Sequence, residues 1–280
     1  MYDCNTREIL LSKLATLKRE VASLTKMMTF LTVIRLMQRL GMNQANKIQI
    51  KVSRVGSRII GTTANLQEND ILSVEQLFYG MMLPSGNDAA FGLAEYFGSI
   101  LKERKYNKIS DDLKLPPNSQ FNGSNVKYFL KEMNLLATKL KMHSTFYDSP
   151  HGLMNKNNYS TASDVTLLIA ECMKIDVYRR VVSTKVYETK ALCGSPKDGN
   201  GAVTFYHWEN SNKLLGVLPG ILGCKTGITN AAGPCFAGYY ENKEGTVKLA
   251  MVLCHSKTLE HRWDEITAMV EWYKKKYEIK

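Results

Sequence analysis

One stretch of the chain, residues 23–40, constrains the fold more than any other because it is long, apolar and free of proline. It reads SLTKMMTFLTVIRLMQRL, and it is followed by Gly41, a residue suited to a helix C-terminal cap. Its apolar side chains would cover almost every face of a helix, and such a helix belongs in the interior of a protein. The sequence therefore predicts a buried helix that begins near Ser23 and ends at Gly41.

The first turn of this helix carries a serine and a lysine. Ser23 and Lys26 are spaced i, i+3, so their side chains project from one helical face. A buried lysine is costly unless it has a partner or a chemical task. If burial and positive neighbours lower its pKa, a lysine can accept the proton of a serine hydroxyl and so activate it as a nucleophile. The structural alternative is a helix-capping serine beside a lysine that reaches for solvent.

Composition and charge place the chain among ordinary globular proteins. A length of 280 residues is enough for one large domain or two small ones. The residues are 44% hydrophobic and 22% charged, as in ordinary globular proteins. The net charge of +11 suggests an anionic partner, such as nucleic acid, a cell-wall polymer or a lipid surface, but no nucleic-acid-binding motif supports the first. The six cysteines have neither metal-ligand nor disulfide-framework spacing, so free buried thiols are expected.

The order of helical and strand patterns predicts an α+β fold. Helical patterns lie at 73–83, 85–103, 126–142, 162–175 and 258–277. Strand patterns lie at 221–227, 234–241 and 246–255, the last two joined by a hairpin-turn signal at 242–245. Residues 47–65 could form a loop or short strands, and 104–125 is predicted to be a surface loop. No apolar run is long enough to cross a membrane, and the first 20 residues lack the apolar core of a signal peptide.

Two further motifs strengthen the serine–lysine hypothesis. None of the five histidines lies in a nucleophile elbow, and no G-x-S-x-G occurs. Ser85-Gly86-Asn87 stands at a predicted helix start, and Lys225-Thr226-Gly227 stands at a predicted strand edge. The order S-x-x-K, S-D-N and K-T-G is the signature of penicillin-binding proteins and class A β-lactamases.

With these motifs, the sequence resembles the low-molecular-mass penicillin-binding proteins, which are serine-type D-alanyl-D-alanine carboxypeptidases. The matching blocks are ASLTKMMT, SGNDAA, SPHGL with YSTASD, and NSNKLL leading into GCKTGITNAAG, and the match runs from about Asp3 to Tyr273. The resemblance implies a β-lactamase/transpeptidase-like fold, with an antiparallel sheet formed by both chain ends and flanked by helices. It also implies one catalytic domain over 1–280, with an all-helical lobe inserted at roughly 42–165 and no C-terminal β-domain.

The resemblance implies roles for the first two motifs. Ser23 would be the nucleophile and Lys26 its proton acceptor. Ser85 would relay a proton to the leaving amine, while Asn87 would orient Lys26 and the substrate amide. A capping serine with a turn asparagine is the structural alternative for this second motif.

The third motif would bind the substrate. Lys225 would supply positive potential, Thr226 a hydroxyl for the terminal carboxylate, and Gly227 close approach of the strand edge to the peptide. Backbone N–H groups of Ser23 and Ile228 would form the oxyanion hole. No metal or organic cofactor is expected.

Other residues are expected to be structural, and some family features are missing. His151 in SPHGL is expected to be structural rather than catalytic, and Cys224 a small core residue. Relatives begin with a complete first strand, of which only the tail is visible here, and 104–122 resembles an insertion. The C-terminal β-domain, the amphipathic membrane anchor and the secretion signal of many relatives are also not visible.

The resulting hypothesis is a carboxypeptidase that removes the terminal D-alanine of peptidoglycan-type peptides through an acyl-serine intermediate. β-Lactams would be covalent inhibitors, and the compartment would be extracytoplasmic if the family pattern holds. One alternative is a serine β-lactamase, although the chain has no E-x-x-L-N and reads S-G-N rather than S-D-N. The other is a pseudoenzyme that binds wall peptides without turnover.

Overall fold

Two antiparallel sheets and a set of packed helices make up the fold. The computed structural model describes residues 1–103, 114–193 and 203–278. The first sheet has the strand order β1-β8-β7-β6, formed by Tyr2–Asp3, Lys248–Leu253, Cys235–Glu241 and Ile221–Gly227. Tyr2 pairs with Ala250, so the two ends of the chain share this sheet, and the predicted α+β class is confirmed.

The first sheet is covered on both faces, which explains why β7 and β8 are apolar almost throughout. On one face, Ala237 and Val252 join the large core around the central helix. On the other, Phe236 and Met251 pack beneath the C-terminal helix with Trp263. Strands buried on both faces read as apolar runs, and the sequence shows that pattern.

The helices follow the predicted segments closely. The described helices are α1 Thr25–Leu40, α2 Val74–Met82, α3 Asn87–Glu103, α4 Val126–Lys139, α5 Ala162–Cys172, α6 Asp176–Ser183 and α7 His261–Lys276. A short 3-10 turn, Ala22–Leu24, leads into α1, and Gly41 ends α1 with a φ of +71°. Most of α1 is buried, as its composition predicted. Helix α6 was not among the predicted segments.

The inserted part of the chain is not all helical, contrary to what the resemblance implied. A second sheet has the order β2-β3-β4-β5, formed by Gln49–Lys51, Asp70–Ser73, Val186–Cys193 and Val203–Glu209. Both β2 and β3 lie within 42–165. They are too short to show a strand period, and β3 is completed by β4, which comes much later in the chain. The predicted loop at 104–125 and the insertion at 104–122 fall partly outside the described residues.

No helix in the described ranges is both long and apolar enough to span a membrane.

Candidate active site

The three motifs meet where α1, α3 and β6 converge. The 3-10 turn that carries Ser23 lies against the end of β6, because a Cβ added to Gly227 would sit 3.0 Å from the Ser23 backbone nitrogen. Asn87, the first residue of α3, reaches Lys26 at 2.7 Å. The structure therefore brings one member of each motif into a single cluster.

Lys26 lies at the centre of the cluster and has no exposed surface. Its Nζ is 2.8 Å from Ser23 Oγ, 2.7 Å from Asn87 Oδ1 and 2.9 Å from the backbone oxygen of His151. Burial lowers the pKa of Lys26 well below its usual value, the positive charge of Lys225 lowers it further, and Asp88 opposes the shift. The lysine is thus held next to the serine under conditions that favour its neutral form.

The side-chain orientation of Asn87 is fixed by a second contact. Its Nδ2 donates to the backbone oxygen of Ile60 at 2.8 Å, so Oδ1 must face Lys26. The segment that supplies this oxygen approaches closely because it contains Gly61, which has a φ of +90°. A Cβ on Gly61 would lie 2.8 Å from Asn87 Nδ2. Sequence reasoning did not identify Ile60 or Gly61, because their link to Asn87 exists only in the folded chain.

Ser85 is buried in a left-handed backbone conformation. Its φ is +68°, and its carbonyl oxygen accepts a hydrogen bond from Thr62 Oγ1 at 2.7 Å. The next position has no room for a side chain, because a Cβ on Gly86 would lie 2.7 Å from the backbone oxygen of Gly80. Within the described ranges the Ser85 hydroxyl makes no hydrogen bond, so the structure does not join it to Ser23 or Lys26 as it joins Asn87.

The third motif presents one buried ammonium group and one hydroxyl. Lys225 is 1% exposed, and its Nζ donates to the Thr226 backbone oxygen at 2.9 Å. Burial lowers the pKa of Lys225 to about 7, and the nearby Arg262 guanidinium contributes to this shift. Thr226 Oγ1 lies 2.6 Å from Ser211 Oγ.

Two residues that lie next to the third motif, Ser211 and Arg262, were not assigned a role from the sequence. Ser211 lies in the NSNKLL block, but no pattern pairs a loop serine with a distant threonine. Arg262 lies in the first turn of α7 and donates to the Cys235 backbone oxygen at 3.3 Å. The sequence around it, HRWDE, contains no motif that would single it out, and Arg262 comes close to Lys225 only in the folded chain.

The backbone beside Ser23 is tightly constrained. Ala22 has a φ of +46°, an uncommon conformation for a residue with a side chain. Gly152, at φ +81°, lies against it, and a Cβ there would overlap the Ala22 carbonyl oxygen at 1.9 Å. The SPHGL block therefore packs directly on the turn that holds Ser23, which supports its position.

His151 contributes its backbone to the cluster rather than its ring. Its carbonyl oxygen is the group that contacts Lys26, while its ring lies 6.2 Å from the Phe121 ring, measured between centroids. Burial lowers the pKa of His151 to about 3, and the charge of Lys26 adds to this, so the ring is neutral near pH 7. The Ile228 side chain is half exposed and lies outside the cluster.

The cluster has the components of a serine acyl-transfer site. It holds a serine hydroxyl, an amine with a lowered pKa 2.8 Å from it, and the Ser23 backbone nitrogen against the end of β6. In the parts of the chain that the structure describes, no three or more His, Cys, Asp or Glu side chains are grouped to hold a metal ion.

Comparisons with known proteins identify a family for this arrangement. The family model for D-alanyl-D-alanine carboxypeptidases matches residues 1–103 and 119–258. A D-alanyl-D-alanine carboxypeptidase of Streptomyces sp. strain K15 is 32% identical over 95% of this chain and 83% of its own length. Another from Bacillus subtilis is 24% identical over 99% of this chain, which spans only 62% of that relative. The crystal structure of the Streptomyces K15 DD-transpeptidase superposes with a TM-score of 0.80, at 28% identity over 96% of this chain and 93% of that one.

Proposed function

Because the chain belongs to the D-alanyl-D-alanine carboxypeptidase family, its reaction is serine-type hydrolysis of a D-alanyl-D-alanine bond, and we propose that the three motifs carry it out. The 280 residues would act as one catalytic domain. The substrate would be a peptidoglycan stem peptide ending in D-Ala-D-Ala, met in an extracytoplasmic compartment. The observation that carries this proposal is the contact of Lys26 with both Ser23 and Asn87.

The hydrogen bonds around Lys26 determine the direction of proton transfer. Asn87 Oδ1 and the His151 backbone oxygen can only accept, so they take the two hydrogens of a neutral amine. In that neutral form the remaining lone pair of Nζ would face Ser23 Oγ, 2.8 Å away, and the hydroxyl would donate to it; a charged Lys26 donates to Ser23 Oγ instead. In its neutral form Lys26 is therefore oriented as the base that activates Ser23.

Acylation follows from that proton transfer. Ser23 Oγ attacks the carbonyl carbon of the penultimate D-alanine, and the developing oxyanion would be bound by the backbone N–H groups of Ser23 and Ile228. The proton passes to the leaving nitrogen of the terminal D-alanine, with Ser85 as the relay. Water then hydrolyses the acyl ester, which restores Ser23 and releases the shortened peptide.

The third motif would hold the substrate's terminal carboxylate. A protonated Lys225 provides the positive charge, and Thr226 provides a hydroxyl donor. Ser211 would accept or donate at Thr226 and so hold that hydroxyl in place. Arg262 adds a second positive charge close to Lys225, which favours an anionic ligand.

Labelling with a fluorescent penicillin, followed by mass spectrometry of the adduct, tests this assignment. We expect one adduct on Ser23, and we expect Ser23→Ala to lose both the label and D-alanine release from a D-Ala-D-Ala peptide. Ser183→Ala, which removes an exposed serine at the end of α6, is the matched control and should keep both. An adduct on any other residue contradicts the proposal.

The same assay separates the alternatives. Stable labelling without D-alanine release would indicate a pseudoenzyme that binds wall peptides. Rapid release of hydrolysed penicillin would indicate a β-lactamase. The solved Streptomyces relative is a DD-transpeptidase, so the assay should include an amine acceptor. Formation of a new peptide product would show that the acyl ester also reacts with amines.

A further inference from the structure

Two cysteines outside the candidate active site face each other across neighbouring strands. The β7–β8 ladder ends with Phe236 opposite Leu253, so Cys235 and Cys254 are the next residues on the two strands. The register shifts just beyond them, because the Ser256 N–H donates to the Pro234 backbone oxygen. Both side chains pack on the face of the sheet that contacts the large core. The two thiols are close enough for each to shift the pKa of the other.

This geometry is close to that of a disulfide. Directly opposite residues of antiparallel strands have Cβ atoms about 4.5–5.5 Å apart. A disulfide requires a Cβ separation of about 3.5–4.5 Å, so a small local adjustment would suffice. Cys235 begins β7, and Cys254 lies one residue past β8, where the sheet ends.

A cavity gives access to one member of the pair. Cys254 is partly exposed and lines a cavity of about 490 Å³ between the N-terminal segment, the end of β8 and α7. Cys235 is fully buried behind it. Cys172 and Cys224 are also buried, but neither lines this cavity. A small reagent could therefore reach Cys254 first.

The charges around the pair favour a thiolate at Cys235. The neighbouring Cys254 thiol lowers the pKa of Cys235, and the positive charges of Arg262 and Arg19 lower it further. The Cys235 thiol in turn raises the pKa of Cys254. In its protonated form, Cys235 Sγ donates to the backbone oxygens of Ala232 and Gly233 at 3.6 Å. The backbone of His255 also donates toward Cys235. The buried thiol is thus prepared to attack once its partner has been activated.

We propose that Cys235 and Cys254 form a redox modification site, a dithiol that closes to a cross-strand disulfide by exchange with a small organic disulfide. Cys254 passes its proton to the Cys235 thiolate and attacks one sulfur of the reagent, which forms a mixed disulfide and releases the first thiolate. That thiolate takes the proton from Cys235 and leaves as a thiol. The Cys235 thiolate then attacks the Cys254 sulfur, breaks the mixed disulfide and releases the second thiol. Two protein thiols are oxidised, and one reagent disulfide is reduced to two thiols.

The position of the pair connects it to the third motif. Gly227 lies directly opposite Cys235 in the β6–β7 register, and the carbonyl of Cys235 accepts from Arg262. A disulfide at this point would tie the start of β7 to the chain after β8. The strand so fixed is the neighbour of the one that carries Lys225 and Thr226.

The test uses oxidised glutathione as the organic disulfide and peptide mapping as the readout. Trypsin places Cys235 in residues 226–243 and Cys254 in residues 249–257, with no other cysteine in either peptide. After oxidation and blocking of the remaining thiols, we expect these two peptides to be linked, with a mass lower by two hydrogens than their sum. Reductant should separate them.

Two variants keep the result interpretable. Cys254→Ser should give no linked peptide, whereas Cys193→Ser, which removes a partly exposed cysteine elsewhere, should still give it. Circular dichroism and penicillin labelling would establish that both variants are folded. Six blocked thiols after oxidation, glutathione adducts alone, or a linkage between other cysteines would overturn the proposal.

Discussion

The proposed role of Lys26 as the base depends on its complete burial and on the two acceptors that hold its Nζ, Asn87 Oδ1 and the His151 backbone oxygen. The lowered pKa of Lys26 means that the folded state binds fewer protons than the unfolded chain at this residue. The cost to stability is therefore fully present below the lowered pKa and disappears as the pH rises toward the unfolded value of about 10.4.

Lys26→Met tests both consequences. We expect the variant to be almost inert toward penicillin but at least as stable as the parent near neutral pH, because the base and its cost are removed together. The free energy of unfolding, measured by urea denaturation from pH 6 to 10, should rise with pH more steeply in the parent. Lys275→Met, at an exposed position on α7, is the control and should leave both profiles unchanged. Preserved acylation with lost stability would reduce Lys26 to a structural partner.

Lys225 should limit activity at high pH, whereas Lys26 should limit it at low pH. The pKa of about 7 at Lys225 means that this residue loses its charge as the pH rises through neutrality, whereas Lys26 must lose its own to act. For a substrate with a terminal carboxylate, KM should therefore rise above about pH 7, and kcat/KM should be bell-shaped with values that belong to the coupled pair.

Two substitutions of Lys225 distinguish the effect of its charge from the effect of its size and shape. Lys225→Gln should lower kcat/KM by about 10- to 100-fold, the factor expected for losing a hydrogen bond to a charged group. Lys225→Arg keeps the charge at all accessible pH values and should move the alkaline limit upward. Unchanged kinetics of Lys225→Gln toward a carboxylate-bearing substrate would show that the carboxylate is held elsewhere.

At the residue scale, what the sequence revealed was local. Ser23 and Lys26 are one helical turn apart, so their spacing alone predicted a contact that the structure contains. The contact of Asn87 with Lys26 was expected only through the family resemblance. The groups that fix these residues, Ile60 and Gly152, lie far away in sequence and have no pattern of their own.

At the scale of elements, the active-site cleft depends on how closely β6 approaches the turn before α1. A methyl group on Gly227 would lie 3.0 Å from the Ser23 nitrogen and 3.2 Å from the Val21 oxygen, both backbone atoms that cannot rotate away. Gly227→Ala should therefore separate the strand edge from the nucleophile.

We expect Gly227→Ala to lower the rate of penicillin acylation by about 10²-fold, because a displacement of about 1 Å can have that effect. The loss of stability should be modest, about 1–3 kcal/mol. The second-order acylation rate and urea denaturation measure the two effects. Gly92→Ala, at a helical position with no atom within 4 Å of the added methyl group, should retain full activity. Equal rates in the two variants would contradict the close approach.

The elements themselves were predictable where their pattern was long. Helix α1 and strands β6 to β8 gave clear signals because most residues of each are buried. Strand β2 lies within residues 47–65, where a loop and short strands were both left open, and β3 gave no signal, because three or four residues cannot display a period. Strands β4 and β5 alternate exposed with more buried residues, but apolar Val203 and Phe205 occupy exposed positions of β5, so the alternation does not show in the sequence.

At the scale of the whole molecule, the candidate site is assembled from the beginning, middle and end of the chain. Ser23, Asn87 and Lys225 come from three separate regions, and the sheet that holds the third motif includes the first strand. The resemblance predicted this arrangement, since composition and period do not specify which strands pair.

The pairing of Tyr2 with Ala250 also determines at what stage of synthesis the first sheet can be completed. Synthesis proceeds from the N-terminus at about 5–20 residues per second, and pairings between distant parts of a chain form late. Ser23 and Lys26 emerge early, whereas β6, β7 and β8 are the last strands to be made and only α7 follows them. A growing chain therefore contains Ser23 before it contains β6, the strand that completes the cleft. We expect such a chain neither to hydrolyse D-Ala-D-Ala peptides nor to be acylated by penicillin until its last strands have joined the sheet.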